Sequence, residues 1–198
     1  GYMANSHYDL RKMEKKLKKY LDHHRMVHTR GVMYTAACLG MAHDCDLEQC
    51  QTAGLLHDCA KCIPDSKKLR LCAKNHIDMT DYEMRHPFIL HAKLGAWVAR
   101  RKYDVQDPEI LNAITCHTTG KKAMTDLEKI IYIADYIEPG RTKAPRLDLV
   151  RKTAFEDLDE AMYMILSDTL QYLRRGNREI DLMTESAFAY YCNLHNQK

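Results

Sequence analysis

Signals for helix starts recur along this sequence, whereas the alternating apolar and polar residues of β-strands are scarce. Asp107-Pro108 joins a capping residue to a proline that the first helical turn tolerates, and Thr125 is a second capping residue. Asp46 with Gln49 has the spacing of a capping box. Between residues 25 and 42, apolar side chains recur at helical spacing. The chain is therefore predicted to have an all-α fold.

Nine helices are predicted from these signals, without a proline-rich or glycine-rich linker between them. They span residues 6–22, 25–42, 46–56, 67–74, 87–101, 107–116, 125–136, 148–175 and 184–195. Ser6, Ser66, Pro87 and Thr184 are the predicted start signals of their helices. We predict one domain over residues 1–198, with a motif-bearing core at about 21–146 and C-terminal packing helices at about 147–198.

The composition excludes several classes of protein. Hydrophobic residues make up 45% of the chain and charged residues 29%, which is a globular balance. No apolar run approaches the roughly 20 residues that a membrane span needs. The net charge is +3, and the lysine run at 12–19 lacks interleaved aromatic residues, so nucleic-acid binding is not predicted.

The eight cysteines, without a recognisable secretion signal, point to a cytoplasmic protein with free thiols. Cys59 and Cys62 form a C-x-x-C, which occurs in redox pairs and in halves of zinc sites. No second pair with comparable spacing completes a zinc site. The cysteines are therefore interpreted as small buried hydrophobic residues.

The strongest chemical signal is the pair His57-Asp58, which follows the apolar residues Leu55 and Leu56. Adjacent residues of an α-helix point about 100° apart, so both side chains can reach one ion only at a helix end or in a distorted turn. The pair is predicted to lie at such an end. The dipeptide is common by chance, and the alternative interpretation is a surface histidine beside a capping aspartate.

Four further polar residues interrupt apolar helical segments: His28, His91, His117 and Asp135. Each alone is typical of a hydrogen-bonded core residue. A buried carboxylate without a partner is unfavourable, so Asp135 needs a cation nearby. One metal centre would satisfy these residues together with His57-Asp58. Imidazole and carboxylate ligands suit Fe, Mn, Co, Ni or Zn.

In this order the residues resemble the HD-domain phosphohydrolase superfamily. The segments around them resemble its branch of symmetrical bis(5'-nucleosyl)-tetraphosphatases, the YqeK family. The shared segments are R-x-x-H-T, L-L-H-D-x-A-K, H-P-x-I-L-H-A-x-L-G-A, H-T-T-G and I-A-D-x-I-E-P-x-R. The resemblance implies a helical HD-domain bundle with additional C-terminal helices. It also implies an enzyme that hydrolyses diadenosine tetraphosphate symmetrically into two ADP.

The same resemblance implies a divalent metal cofactor, one or two ions, and the family is associated with iron. The implied ligands are His28, His57, Asp58, His91, His117 and Asp135. Asp58 would join His28, His57 and Asp135 around one ion. It would bridge to a second ion completed by His91 and His117.

The implied chemistry is attack of metal-bound hydroxide on phosphorus, with ADP leaving as a stabilised anion. Asp58 is the predicted proton acceptor, and Lys61 is predicted to act in catalysis by contacting phosphate. The predicted substrate contacts are Arg25, Lys61, His117, Thr118 and Arg141. The alternative for these basic side chains is a solvated surface position.

Other functions are compatible with the sequence. One is a nucleotide phosphatase or alarmone pyrophosphohydrolase on the same scaffold, and another is a non-catalytic module that binds a metal and a nucleotide. A third is a redox or zinc protein built on Cys59 and Cys62. The expected partner is a small-molecule nucleotide, and a homodimer stays open. His86 is either a ligand or a helix cap. The tyrosines of the C-terminal part either pack between helices, which is the favoured interpretation, or stack a base: Tyr163, Tyr172, Tyr190 and Tyr191.

Overall fold

The computed structural model describes residues 8–198, and the all-α fold is confirmed, with no strand among these residues. The helices are α1 (Leu10–Leu17), α2 (His23–Ala42), α3 (Leu47–Leu56), α4 (Asp65–Lys74), α5 (Asp81–Arg85), α6 (His91–Lys102), α7 (Pro108–Thr115), α8 (Asp126–Ile137), α9 (Leu147–Glu156), α10 (Leu158–Arg175) and α11 (Leu182–Asn196). A short 3-10 helix, Pro87–Leu90, precedes α6. No helix in this described part is long and apolar enough to cross a membrane.

Several helices start at the capping residues that the sequence predicts. Thr125 forms a full capping box with Glu128 at the start of α8, and Asp107 caps α7. Asp46 caps α3 by accepting a hydrogen bond from the backbone of Gln49. The side chain of Gln49 donates to Asp107 instead of completing the box, so it ties α3 to α7.

Three predicted helix boundaries are wrong. Ser66 lies inside α4 and does not cap it. Pro87 opens the 3-10 helix, and α6 starts four residues later at His91. The predicted helix over 148–175 is two helices, because the backbone of Asp157 is extended (φ −154°, ψ 104°). The side chain of Asp157 then caps α10, which restarts the helical hydrogen bonds.

The remaining differences concern short segments. Helix α5 was not predicted because it has only five residues, although Thr80 and Glu83 form a full capping box there. Helix α11 is capped by Asp181, three residues before the predicted start at Thr184. The predicted start of the first helix at Ser6 lies outside the described residues, but its predicted end at residue 22 is wrong: α1 is capped by Asp9 and ends at Leu17, and Asp22 caps α2.

The helices share one core. Helix α8 is buried on most of its circumference, which is the pattern of a central helix. Helices α2 and α3 approach closely at Gly54, where a Cβ atom would lie 3.0 Å from the Cα of Met33. One cluster of buried side chains extends from Met13 of α1 to Tyr191 of α11. One domain over residues 1–198 stays a prediction.

Candidate metal centre

Five separate segments bring the six predicted metal ligands to one place in the interior. The ligands are His28 of α2, His57 and Asp58 just after α3, His91 at the start of α6, His117 just after α7, and Asp135 of α8. They form three overlapping groups in which one ligand atom from each residue lies within 4.8 Å of the others. His57, Asp58, His91 and His117 are buried. The pair His57-Asp58 thus follows a helix end, as predicted.

Asp58 lies at the middle of this cluster, and each of its carboxylate oxygens faces two imidazoles. Oδ2 is 3.2 Å from Nε2 of His57 and 3.7 Å from Nε2 of His28. Oδ1 is 3.4 Å from Nε2 of His91 and 3.3 Å from Nε2 of His117. The carboxylate therefore stands between two pairs of imidazoles, which is the arrangement of a bridging ligand.

Three of the four imidazoles are oriented by the same kind of backbone contact. Nδ1 of His57, His91 and His117 donates to the carbonyl oxygen three residues earlier, at 2.7 Å in each case. This contact orients each ring and turns its Nε2 towards Asp58, so that Nε2 is the atom a metal ion would use. Nε2 of His57 is buried and has no hydrogen-bond partner among the described residues. A metal ion would satisfy this atom, so the donor set fits a divalent cation.

His28 is oriented by a carboxylate instead. Its Nδ1 is 2.7 Å from Oε2 of Glu138, and its Nε2 is 2.8 Å from Oδ1 of Asp135. Glu138 is buried. Glu138 was not predicted as a site residue, because it lies two residues beyond the predicted end of its helix at residue 136 and directly before Pro139. Its position in the segment I-A-D-x-I-E-P-x-R was the signal that could have found it.

The two central carboxylates make the cluster favour positive charge. Burial opposes a charge on His57, but Asp58 and Asp135 outweigh it and raise the pKa of His57 to about 10. Burial also opposes a charge on Asp58, yet the charge of His57 and hydrogen bonds from His117 hold the pKa of Asp58 well below its ordinary value. A divalent cation would supply this positive charge in place of protons.

The cysteines take no part in the cluster. All eight are free thiols, as predicted. Cys59 is buried and its thiol contacts the carbonyl oxygen of Gly95 at 3.3 Å, whereas Cys62 is exposed. The C-x-x-C therefore forms no disulfide, and it contributes no ligand to the three candidate groups among the described residues.

A cavity of about 1060 Å³ opens onto the cluster. All four predicted contacts outside the ligand set line it: Arg25, Lys61, Thr118 and Arg141. Two further residues that can carry positive charge, His24 and Lys143, also line it and were missed. Arg25 additionally pairs with Asp58, with Nη1 3.1 Å from Oδ2. The guanidinium of Arg141 lies 5.1 Å from the ring centre of Tyr136.

The C-terminal helices contribute to this cavity as well as to packing. Asp168, Thr169, Tyr172 and Leu173, all from α10, line one of its walls. His86 lies outside the cavity lining, and its Nε2 is 3.0 Å from a carboxylate oxygen of Glu179. The side chain of His86 does not cap the 3-10 helix either.

Comparison with known proteins identifies the fold. The family model described as the HD domain matches residues 25–140, more than half of the chain and all six clustered residues. This chain belongs to the HD-domain family. A crystal structure of a predicted HD superfamily hydrolase involved in NAD metabolism, from Clostridium acetobutylicum, has the same fold with a TM-score of 0.90. It is 36% identical, and the match covers 94% of this HD-domain chain and 98% of that one.

The HD-domain chain also resembles named enzymes over most of its length. It is 39% identical over 165 residues to the symmetrical bis(5'-nucleosyl)-tetraphosphatase of Bacillus subtilis, covering 83% of this chain and 87% of that protein. It is 37% identical over 164 residues to the protein of the same name from Halalkalibacterium halodurans, with the same coverage. Within the HD-domain family, it therefore belongs to the symmetrical bis(5'-nucleosyl)-tetraphosphatases.

Proposed function

We propose that this protein is a metal-dependent hydrolase that cleaves diadenosine tetraphosphate at its central anhydride bond and releases two ADP. The observation that carries the proposal is the position of Asp58, with two imidazole Nε2 atoms facing each of its oxygens. Membership of the symmetrical tetraphosphatases supplies the substrate class. Together they favour catalysis over a module that only binds nucleotide.

The proposed ligands fall into two sets that share Asp58. One set is His28, His57 and Asp58 together with Asp135, whose Oδ1 lies 2.8 Å from Nε2 of His28 and 3.6 Å from Nε2 of His57. The other set is Asp58, His91 and His117. When bound, a divalent ion polarises phosphoryl oxygens and lowers the pKa of water. Nitrogen and oxygen donors fit iron, which is the metal that we propose, and also Mn, Co, Ni or Zn.

The basic residues of the cavity are proposed to hold the tetraphosphate. Arg25, Lys61 and Arg141 line it, and Thr118 adjoins His117. Guanidinium and ammonium groups form charge-assisted hydrogen bonds to phosphate oxygens. The volume of about 1060 Å³ lies just above the range of typical ligand pockets, roughly 300–1,000 Å³, so the cavity has room for a large ligand such as a dinucleoside tetraphosphate.

In the proposed reaction, one water molecule adds to a central phosphorus and one P–O bond of the anhydride breaks. The leaving group is ADP, which is stable as an anion and needs no strong general acid. Asp58 would hold the attacking water by accepting its hydrogen bond. Asp58 would also take up the proton that this water loses. Lys61 would stabilise the charge that develops on phosphate oxygens.

Aromatic side chains in the cavity are proposed to stack the nucleoside bases. Phe88 and Tyr172 both line the cavity and are about half exposed, at 51% and 57%. A base has two apolar faces that stack on such rings irrespective of its hydrogen-bonding edge.

The proposed location is the cytoplasm. The eight free thiols agree with this compartment, in which cysteines are kept reduced.

The test is identification of products together with control of the metal. Protein stripped with a chelator should be inactive, and Fe²⁺ or Mn²⁺ should restore conversion of diadenosine tetraphosphate to ADP alone. Release of AMP with ATP would contradict symmetrical cleavage. Turnover of nucleoside monophosphates or alarmones in preference to the dinucleotide would favour the alternative hydrolase functions.

Asp58→Asn should abolish hydrolysis because it removes the charge that both ligand sets share. The matched control for His28 of α2 is His43, the residue directly after that helix. His43 contacts the carbonyl oxygen of Ala154 and lies outside the cluster. His28→Gln should therefore lose metal and activity, whereas His43→Gln should keep both.

A further inference from the structure

Glu138 makes a contact that the proposed ligand set does not include. Its Oε2 accepts a hydrogen bond from Nδ1 of His28 at 2.7 Å, while Nε2 of the same ring points to Asp135. Only 6% of Glu138 is exposed. A carboxylate buried to this extent needs partners that offset its lost hydration. His28 is one of these partners.

The space around Glu138 is kept open by two glycines on different segments. A Cβ atom on Gly140 would lie 2.7 Å from Oε1 of Glu138, and one on Gly31 would lie 3.0 Å from the same oxygen. The backbone N–H of Gly140 also donates to Oε1. A Cβ at Gly140 would therefore displace the carboxylate of Glu138, and one at Gly31 would press on it.

The backbone that carries Glu138 is held by a residue of the C-terminal part. The guanidinium of Arg151 on α9 donates to the carbonyl oxygens of Ile137, Glu138 and Arg141, at 2.8, 2.9 and 2.8 Å. The end of α8 and the loop after it are thereby fixed as one unit. Both the side chain and the backbone of Glu138 thus have defined partners.

We propose that Glu138 is a positioning residue for the metal centre, which acts through His28. As hydrogen-bond acceptor it would keep the proton of His28 on Nδ1, hold the plane of the ring and make Nε2 a stronger donor to a metal. The other three histidines use neutral carbonyl oxygens for this purpose, so His28 is the one histidine of the four whose Nδ1 faces a carboxylate. The inference rests on the proposed function, since it presupposes a metal at this centre.

The first test measures Co²⁺ binding to the metal-free protein by its visible absorption, which reports both affinity and coordination. Removal of such a supporting carboxylate typically weakens metal binding about 10- to 100-fold. We expect a loss in this range for Glu138→Ala. Glu138→Gln should lose about tenfold, because an amide oxygen keeps the hydrogen bond without the charge. Thermal unfolding of each metal-free variant separates loss of ligand support from loss of fold.

The second test moves Glu138 without removing it. Gly140→Ala should weaken Co²⁺ binding in the native background, because its Cβ displaces the carboxylate. In the Glu138→Ala background the same change should have little effect, since the space is then free. An equal effect of Gly140→Ala in both backgrounds would overturn the proposal.

Two matched controls come from elsewhere in the chain. Glu160 makes the same kind of contact to Nδ1 of His195, at 2.8 Å, outside the cavity, so Glu160→Gln should leave Co²⁺ affinity unchanged. Gly176→Ala adds a Cβ with only ordinary contacts, to Arg178 at 3.5 Å, and should also be neutral.

The outcomes distinguish the two proposals. If the native protein binds no Co²⁺ or other divalent metal, the proposed function itself fails, and the role of Glu138 fails with it. If the native protein binds Co²⁺ and both Glu138 variants bind it equally well, the metal centre stands and the role of Glu138 is overturned.

Discussion

At the scale of single residues, Asp58 shows how this site combines burial with charge. It is only 3% exposed, yet it is ionised, because Arg25 and four imidazoles surround it. A buried carboxylate that lost these partners would be strongly destabilising. The four imidazoles that offset the burial of the Asp58 carboxylate are the same ones whose Nε2 atoms face it. Stability and ligand geometry are therefore coupled at this residue.

Lys61 and Arg141 are predicted to act on substrate and not on the metal. Replacing either by methionine should lower kcat/KM about 10- to 100-fold, the equivalent of about 1.5–3 kcal/mol for a hydrogen bond to a charged group. Steady-state kinetics on diadenosine tetraphosphate measures this loss. Metal content should stay at the level of the native protein.

The matched control for these cations is Lys67, an exposed residue of α4 that does not line the cavity. Lys67→Met should have native kinetics. If Lys61→Met and Arg141→Met both keep the native kcat/KM, these side chains are solvated surface residues that do not contact the substrate.

At the scale of elements, α9 stabilises the loop that follows α8. Arg151→Met removes three hydrogen bonds to carbonyl oxygens of this loop. We expect about 2 kcal/mol less local stability, seen as amide hydrogen exchange at least about tenfold faster at Arg141, whose N–H bonds to the carbonyl of Glu138. The neighbouring exposed Lys152 is the control, and Lys152→Met should leave the exchange rate unchanged. Equal rates of amide exchange at Arg141 in the two variants would show that Arg151 does not stabilise this loop.

Helix α10 contributes an exposed ring, Tyr172, to the cavity. If this ring stacks a base, Tyr172→Ala should raise KM for diadenosine tetraphosphate by the equivalent of about 1–3 kcal/mol, with little change in kcat. Tyr190→Ala on α11 is the control, because Tyr190 is partly exposed but lies outside the cavity lining. An unchanged KM in Tyr172→Ala would assign Tyr172 to packing.

At the scale of the whole molecule, the metal centre connects five segments that are distant along the chain. A ligand that binds only the native state stabilises it by about 2.7 kcal/mol at 100 times its Kd. For a chain of this size, this corresponds to a rise in Tm of about 5–10 °C. Differential scanning calorimetry of metal-free and loaded protein should show this rise, and Asp58→Asn should not. A Tm independent of metal would contradict a centre that joins these segments.

Much of the fold and of the site was predictable because the signals were local. The caps Asp107 and Thr125 act on the helix that follows them, so their sequence pattern is enough. The break at Asp157 was missed because the residues around it continue a helical pattern, and only the packed structure turns the chain there. Glu138 was missed for a similar reason: a residue before proline reads as a loop, while its importance depends on His28, more than a hundred residues away.

The sequence by itself determined which residues could do chemistry. Apolar residues recur at helical spacing along most of the chain, so the few polar residues that interrupt these apolar segments were recognisable. Only the tertiary structure decided how these residues meet. It placed each oxygen of Asp58 against a separate pair of imidazoles. It also brought the carboxylate of Glu138 to Nδ1 of His28 and made α10 one wall of the cavity. The physical reason is that hydrogen bonds within helices are local, whereas the contacts of a buried charge join distant segments through the packing of the core.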